Sequence, residues 1–312
     1  MSTSTLPLTI AIPTLGREQV LVDTIQMLLD QTPRASEILV VDQSAEHDPS
    51  VAAHLAAWHH DNHIVWLQLD KASQPGALNE ALRRASQEFV LFLDDDIRID
   101  SGFLAAHMDG FSSDEIWAVA GQVLQPGENP DDDYVHTESN GCFADADFRF
   151  RSNRPAMIEN AMSGNMTVRR QRALQVGGFD ENFTPPVAYR FDNEFSKRLC
   201  KSGGKIAFLP KARIYHLRAP RGGTRSNSNH LTSMSPEHGI GDHYFALLHG
   251  RGLKRWTYIS RRMVREVCTR FHLKHPWWIP VKFIGETRAF IGAIALRVSG
   301  PRLIQTISDD ER

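Results

Sequence analysis

The sequence predicts an α/β protein: a mainly parallel, twisted sheet with helices on both faces, extended by a helical C-terminal region. Three observations predict it. Short, continuously apolar runs alternate with segments whose apolar residues recur at helical spacing over the first hundred residues. The runs are apolar at successive positions, as strands buried on both faces require. Polar and acidic residues gather at the carboxyl ends of these runs, where the crossover loops of such a sheet collect ligands.

In order along the chain, Leu8 to Pro13 (LTIAIP) reads as a buried strand, followed by a helix that places Leu21, Ile25, Leu28 and Leu29 on one face. Glu37 to Asp42 (EILVVD) is a second strand that ends in an acid. A helix carrying Val51, Leu55 and Trp58 leads to a third strand, Ile64 to Leu69. Pro75 suits the first turn of the next helix, whose apolar face is Ala77, Leu78, Ala81, Leu82 and Ala85. Phe89 onward (FVLFLDDD) is the fourth strand and runs into three consecutive aspartates.

Beyond them Ala118 to Leu124 is a further strand, and Pro126 to Pro155 is a polar stretch long enough to be a functional lid or an insertion. Order is expected to return at Ala161, with a helix around Asn193 to Ser202 and two strands, KIAFLP and ARIYHL. The expected domains are a catalytic unit over residues 1–220, with a ligand-binding half to about 125 and a second half over 126–220, and a helical region over 221–312.

Composition excludes several classes. Net charge is −2 and charged residues make up 23% of the chain, so no global bias toward nucleic acid exists. Cys142, Cys200 and Cys268 are too far apart in sequence for a thiolate zinc site and suggest no disulfide framework, which fits a reducing, cytoplasmic setting. The first residues lack the traits of a secretory leader, and no apolar stretch reaches the length of a membrane span.

Asp94, Asp95 and Asp96 repel one another unless a cation or open solvent intervenes. An oxygen-rich site of few protein ligands suits Mg2+ or Mn2+ held jointly with substrate phosphates. An acidic surface turn is the other reading of the three residues taken alone.

Taken together, the strand-end residues resemble the nucleotide-sugar glycosyltransferases of family 2, which have the GT-A fold, a Rossmann-like sheet. IAIPTLGR looks like the family's first strand and nucleotide-contacting turn, and EILVVDQS its second strand. PGALNEALRRASQEFVLFLDDDIRID is similar to the helix, strand and metal-binding DxD segment. GNMTVRRQRALQVGGFDENF resembles the acceptor-side strand and turn, and YRFDNEF stands where the catalytic base falls. The likeness runs from about Leu8 to Leu217.

The resemblance implies roles residue by residue. Asp94 and Asp96 form the DxD pair, with Asp96 the direct metal ligand and Asp94 nearer the ribose; Asp95 shares the nucleotide cleft or supports its neighbours. Pro13, Thr14 and Arg17 line the nucleotide pocket, and Asp42 or Gln43 meets the base or ribose. Asn79 falls where relatives carry an Arg-Asn pair, but Leu78 replaces the arginine and removes one phosphate or base contact. His216 is a metal or pyrophosphate ligand, and Arg221 and Arg225 in RGGTR add charge-assisted hydrogen bonds to the diphosphate.

Gly164, Asn165 and Gly178 shape the donor-sugar and acceptor floor. Asp192 is the general base, with Glu194 as the second candidate. Phe191 replaces the family's usual first acid, makes the acceptor pocket more apolar and raises the pKa of its neighbour.

The implied activity is an inverting, metal-dependent transfer from a nucleoside-diphosphate sugar to a hydroxyl of a glycan or lipid-linked acceptor, in polysaccharide or cell-surface glycan biosynthesis. A sugar-1-phosphate nucleotidyltransferase is the enzymatic alternative, but the single glycine of PTLGR makes a poor phosphate loop. A non-catalytic sugar-nucleotide or glycan-binding protein is the other, kept open by Phe191.

From Arg251 to Arg288 ten basic residues face two acids, among Trp256, Tyr258, Trp277 and Trp278. The following VKFIGETRAFIGAIALRV is expected to put Lys282, Glu286 and Arg297 on one helical face and Phe283, Ile284, Ile291, Ile294 and Val298 on the others. Contact with the inner face of the cytoplasmic membrane is expected, against two alternatives: a hairpin packed on the catalytic unit, or a dimer contact. No nucleic-acid partner is expected.

Overall fold

A computed structural model of the protein describes residues 5–137, 143, 148–187, 189–223 and 229–305. Nine strands form one sheet in the order β3-β2-β1-β4-β8-β6-β9-β5, with β7 also paired to β9. The strands β1 (Thr5–Thr14), β2 (Arg34–Asp42), β3 (Val65–Gln68) and β4 (Phe89–Leu93) are mutually parallel, joined by helices α1 (Gln19–Leu29), α2 (Pro49–His60) and α3 (Gln74–Arg84). Ser73 caps α3 by accepting the Gly76 N–H, and Pro75 sits in its first turn as expected.

The expected two-sided burial is present. One face of the sheet packs Phe92, Met166 and Phe208 under α3, and the other packs Leu8, Ile10 and Leu91 under α1 and α2. Each strand of the first half thus contributes alternate residues to two separate cores, which is why its sequence shows no polar alternation.

Past the aspartates the topology turns mixed. The short β5 (Ile97–Ile99) leads to α4 (Phe103–Met108) and β6 (Ile116–Leu124), then β7 (Ala156–Ile158) and β8 (Asn165–Arg169). Strand β8 is antiparallel to both β4 and β6, while β9 (Lys205–His216) is parallel to β6. KIAFLP and ARIYHL are one continuous strand, not two: Pro210 interrupts no hydrogen-bond ladder that matters, because the β6 register shifts between Gly121 and Val123 beside it. The 126–155 stretch is partly tied down, with a bridge between Asp131 and Ser152.

This order brings six chain segments to one edge. The carboxyl ends of β1, β2 and β4 lie there by parallel pairing. Antiparallel β8 begins there, with Leu93 opposite Asn165. Strands β6 and β9 end there, His216 lying opposite Ile97 of β5.

Helices α5 (Arg170–Gln175) and α6 (Phe191–Lys201) follow β8, with a 3-10 turn at Glu181–Phe183 between them. Four C-terminal helices, α7 (Glu237–His249), α8 (Gly252–Val267), α9 (Arg270–Lys274) and α10 (Trp278–Ser299), complete the described chain. They pack on the segment between α5 and α6: Phe183 and Val187 share a cluster with Ile240, Tyr244, Ile259, Ala289 and Ala293.

Of the charged residues expected on one face of α10, two turn inward and Arg297 stays exposed. Lys282 and Glu286 are 2% and 1% exposed, paired to each other at 3.1 Å inside the bundle, while Phe283, Ile284, Ile291, Ile294 and Val298 face outward. A small-residue seam explains this orientation. Gly285, Ala289 and Ala293 let α10 approach its neighbours closely, a Cβ on Gly239 of α7 would lie 2.6 Å from Ala289, and Lys282 and Glu286 on the same side are carried inside.

Candidate active site

A cleft of about 520 Å3 opens at the sheet edge where these segments meet. Its floor is the turn after β4. Burial of Asp95 pushes its carboxyl up to about 6, against the pull of Arg17, whose Nε donates to it at 3.0 Å. Burial also acts to raise Asp96, but the His216 imidazole, the Ala219 N–H at 2.8 Å and Arg17 at 3.1 Å outweigh it and hold the carboxyl below its usual range.

Arg17 also donates to the carbonyls of Ala219 and Arg221, so one guanidinium ties the first turn, the aspartates and the loop after β9 together. The repulsion within the aspartate triplet is therefore offset largely by the fold itself. Asp94 is the most accessible of the three, its side chain 36% exposed.

Asp94 reaches its position because residue 164 is a glycine. A Cβ there would lie 2.3 Å from Asp94 Oδ2, and the Asp94 N–H donates to the Gly164 carbonyl at 3.1 Å. His216 Nε2 lies 3.2 Å from Asp96 Oδ1 and 3.7 Å from Asp94 Oδ2.

Among the described residues no group of three or more His, Cys, Asp and Glu is arranged to hold a metal ion by itself. Asp94, Asp96 and His216 nonetheless share one cleft wall, two carboxylates and an imidazole that a substrate diphosphate would have to supplement. Such a set fits Mg2+ or Mn2+ when substrate phosphates complete the coordination.

Across the same cleft stands Asp192, in the first turn of α6. Burial raises its carboxyl to about 7, the hydrogen bond from the Ser163 N–H at 3.1 Å opposes this, and the Asp94 charge adds to it. Phe191 lines the cleft beside it. Arg190, just before the helix, adopts a left-handed backbone (φ 81°) and is held by Asp242 of α7 and by Tyr258 of α8 at 3.3 Å.

Several residues assigned from sequence have other duties. The Asp42 carboxylate is fully buried and accepts from Ser44 N–H (2.9 Å), His47 (2.8 Å) and the Trp66 indole (2.9 Å), outside the cleft lining. Gln43 accepts from the Ser73 N–H at 2.6 Å and fixes the start of α3, and Thr14 is buried behind the lining. Pro13 and Arg17 do line the cleft.

Asn79 is fully buried and exchanges hydrogen bonds with the backbone of Phe179, so it fastens α3 to the GGFDE turn away from the cleft. Gly178 (φ 63°) belongs to the same joint, where a Cβ would meet Asn79 Oδ1 at 2.5 Å. Asn165 bonds His107 and the carbonyls of Gln122 and Ala212 inside the sheet.

Glu194 points into the protein: burial acts to raise it, but Arg198 and His249 outweigh that and keep it ionised, so the structure favours Asp192 over it as the group facing the cleft. The Arg221 side chain is exposed outside the lining, and Arg225 lies outside the described residues.

The cleft also recruits residues that sequence reasoning missed. Gln74, Gln125, Ser163 and Arg218 line it. Gly223, which the sequence already offered in RGGTR as a point of close phosphate approach, lines it too, and its N–H donates to the Leu15 carbonyl at 2.7 Å. Arg218 donates to Gln125 at 2.8 Å and puts a guanidinium on the cleft lining. It stands two residues beyond His216, but past the end of β9 and with a left-handed backbone (φ 53°), so no strand periodicity signals it.

The sequence profile described as glycosyltransferase-like family 2 matches residues 6–231. A search of curated protein sequences found no match. Among solved structures, GalNAc-T7 with UDP, GalNAc and Mn2+ superposes with a TM-score of 0.62 at 13% identity, over 94% of this chain and 57% of that one. The mannosyltransferase PcManGT from Pyrobaculum calidifontis, in complex with GDP-Man and Mn2+, gives 0.55 at 16%, over 96% and 80%. Residues 1–349 of S. aureus TarS give 0.56 at 16%, over 94% and 82%. The chain thus spans little more than half of the first of these and about four-fifths of the others. The mixed sheet with helices around it matches these neighbours' GT-A fold, and the chain belongs to glycosyltransferase-like family 2.

Proposed function

We propose that the protein is an inverting, metal-dependent glycosyltransferase, moving a sugar from a nucleoside-diphosphate sugar to a hydroxyl of a glycan or lipid-linked acceptor in polysaccharide or cell-surface glycan synthesis. The observation that carries this reading is the pairing, across one cleft, of a half-buried carboxyl at Asp192 with the Asp94, Asp96 and His216 wall. The UDP and Mn2+ held by GalNAc-T7, and the GDP-Man and Mn2+ held by PcManGT, support a nucleotide sugar and a divalent cation here.

Asp94, Asp96 and His216 would hold Mg2+ or Mn2+ together with the diphosphate, and the cation supplies Lewis-acid stabilisation of the leaving charge. Arg218 adds a fixed positive charge on the same wall, and Gly223 leaves room for phosphate oxygens. Asp192 takes the proton of the acceptor hydroxyl as its oxygen bonds to the anomeric carbon. The bond from that carbon to the diphosphate oxygen breaks, and the diphosphate leaves with the electron pair. Attack on the face opposite the leaving group inverts the anomeric centre, and no covalent nucleophile is required.

Asp192→Asn tests the assignment. Transfer is expected to fall by at least three orders of magnitude, while binding of UDP or GDP with Mn2+, measured by calorimetry, stays within about twofold. Undiminished transfer would move the base elsewhere.

A further inference from the structure

We propose that the C-terminal helices seat the protein on an anionic bilayer surface through an apolar stripe on α10. The inference stands on geometry outside the cleft and does not depend on the transferase reading. At 100° per residue, Phe283, Ile284, Ile291, Ile294 and Val298 fall within one sector about 100° wide. Their exposures run from 42% at Ile294 to 82% at Val298. Lys282, Gly285, Glu286, Ala289 and Ala293 occupy the opposite sector and are buried. A helix resting on a protein in water places these two sets the other way round.

The stripe runs along a helix of 22 residues, about 33 Å long. Trp256 of α8 extends it sideways, 51% exposed with its ring 6.4 Å from that of Phe290. Trp277, 64% exposed, stands at the start of α10, and aromatic rings at such an edge suit the boundary between acyl chains and headgroups. Contiguous apolar surface of this extent marks a docking face.

Charge selects the occupant. Arg288 and Arg297 flank the stripe and are exposed, as are Lys254, Arg261 and Arg265 on α8. Between residues 251 and 305 no carboxylate is exposed: Glu286 is buried, and Glu266 is half-buried against Arg262 and Arg265. Among the described residues of this region, a second copy would set one basic border against another with no exposed acid between them. A bilayer containing acidic phospholipid supplies both the apolar layer and the counter-charge. Among the described residues no helix is long and apolar enough to cross a membrane, so α10 lies in the surface plane.

Flotation of the full chain with vesicles tests this. Binding is expected to vesicles of phosphatidylglycerol and phosphatidylcholine, to be at least tenfold weaker with phosphatidylcholine alone, and to fall as salt rises from 50 to 300 mM. Ile291→Glu with Ile294→Glu is expected to lower binding at least tenfold, with the melting temperature retained because both side chains are exposed. Arg288→Gln and Arg297→Gln should each lower it about fivefold. Should the glutamate pair fail to fold, Val298→Asp replaces it with the same expected direction. Absence of binding to the anionic vesicles, or unaltered binding by the glutamate variants, overturns the proposal. So does light scattering that finds a dimer which those variants dissociate while vesicles stay unbound. Nucleotide binding in the cleft, measured on the same samples, is expected to stay unchanged, so failure here is distinguishable from failure of the transferase reading.

Discussion

Asp192 and Gly164 show how single side chains set this cleft. With its carboxyl raised to about 7, Asp192 is largely protonated at pH 6 and ionised at pH 8, so a base at this position makes kcat/KM climb tenfold per pH unit below about 7 and level off above it. The same shift bears on stability. A carboxyl whose folded pKa lies above its unfolded value of about 3.8 binds more protons when folded between those values, so its contribution falls as pH rises from about 4 to 7. Asp192→Asn should therefore raise the melting temperature at pH 8, by a free energy on the order of 2 kcal/mol, and leave it nearly unchanged at pH 4. Calorimetric melts of both proteins at the two pH values check this, and equal shifts at both would show that burial of Asp192 is not what raises it.

Helix α6 presents Asp192 from its first turn, and its entry is fixed by α7 rather than by a capping side chain. Arg190 holds a left-handed backbone against the Asp242 carboxylate, while Gly241 lets α7 touch the backbone of Tyr189. A Cβ at residue 241 would lie 2.1 Å from the Tyr189 carbonyl oxygen. Gly241→Ala is thus expected to cost about 1–3 kcal/mol and to shift the base, lowering kcat more than it changes nucleotide affinity. Denaturant melts alongside steady-state rates test it. A stable variant with an unaltered rate would show that α7 does not hold this loop. The C-terminal helices in this way act on the cleft by contact while turning another face outward.

For the whole molecule, the proposed cation site would be shared between chain and substrate. Two carboxylates and an imidazole leave coordination open, and Arg17 already neutralises much of Asp95 and Asp96. Mn2+ alone is expected to bind weakly, in the millimolar range, and at least tenfold more tightly when UDP or GDP is present. Titration of the metal with and without nucleotide measures this. Tight binding of Mn2+ by itself would mean that the chain closes the site unaided.

The sequence by itself determined the strands, the sheet edge and the residue types at their ends. Continuous apolar runs have one good solution, burial on both faces, and parallel pairing then forces Pro13, Asp94 and their neighbours to one side. Asp192 was marked by the resemblance of YRFDNEF to the family's base motif, since two acids near a helix start, Asp192 and Glu194, look alike locally. Tertiary structure decided which polar residues face the cleft. Asp42, Asn79 and Glu194 look like ligands in sequence but are held inside by Trp66, the Phe179 backbone and Arg198, partners 24, 100 and 4 residues away. It also decided the orientation of α10, since helical periodicity fixes which residues share a face and not which face turns inward. There the close approach of small residues on α7 and α10 carried Lys282 and Glu286 inside and left the isoleucines out.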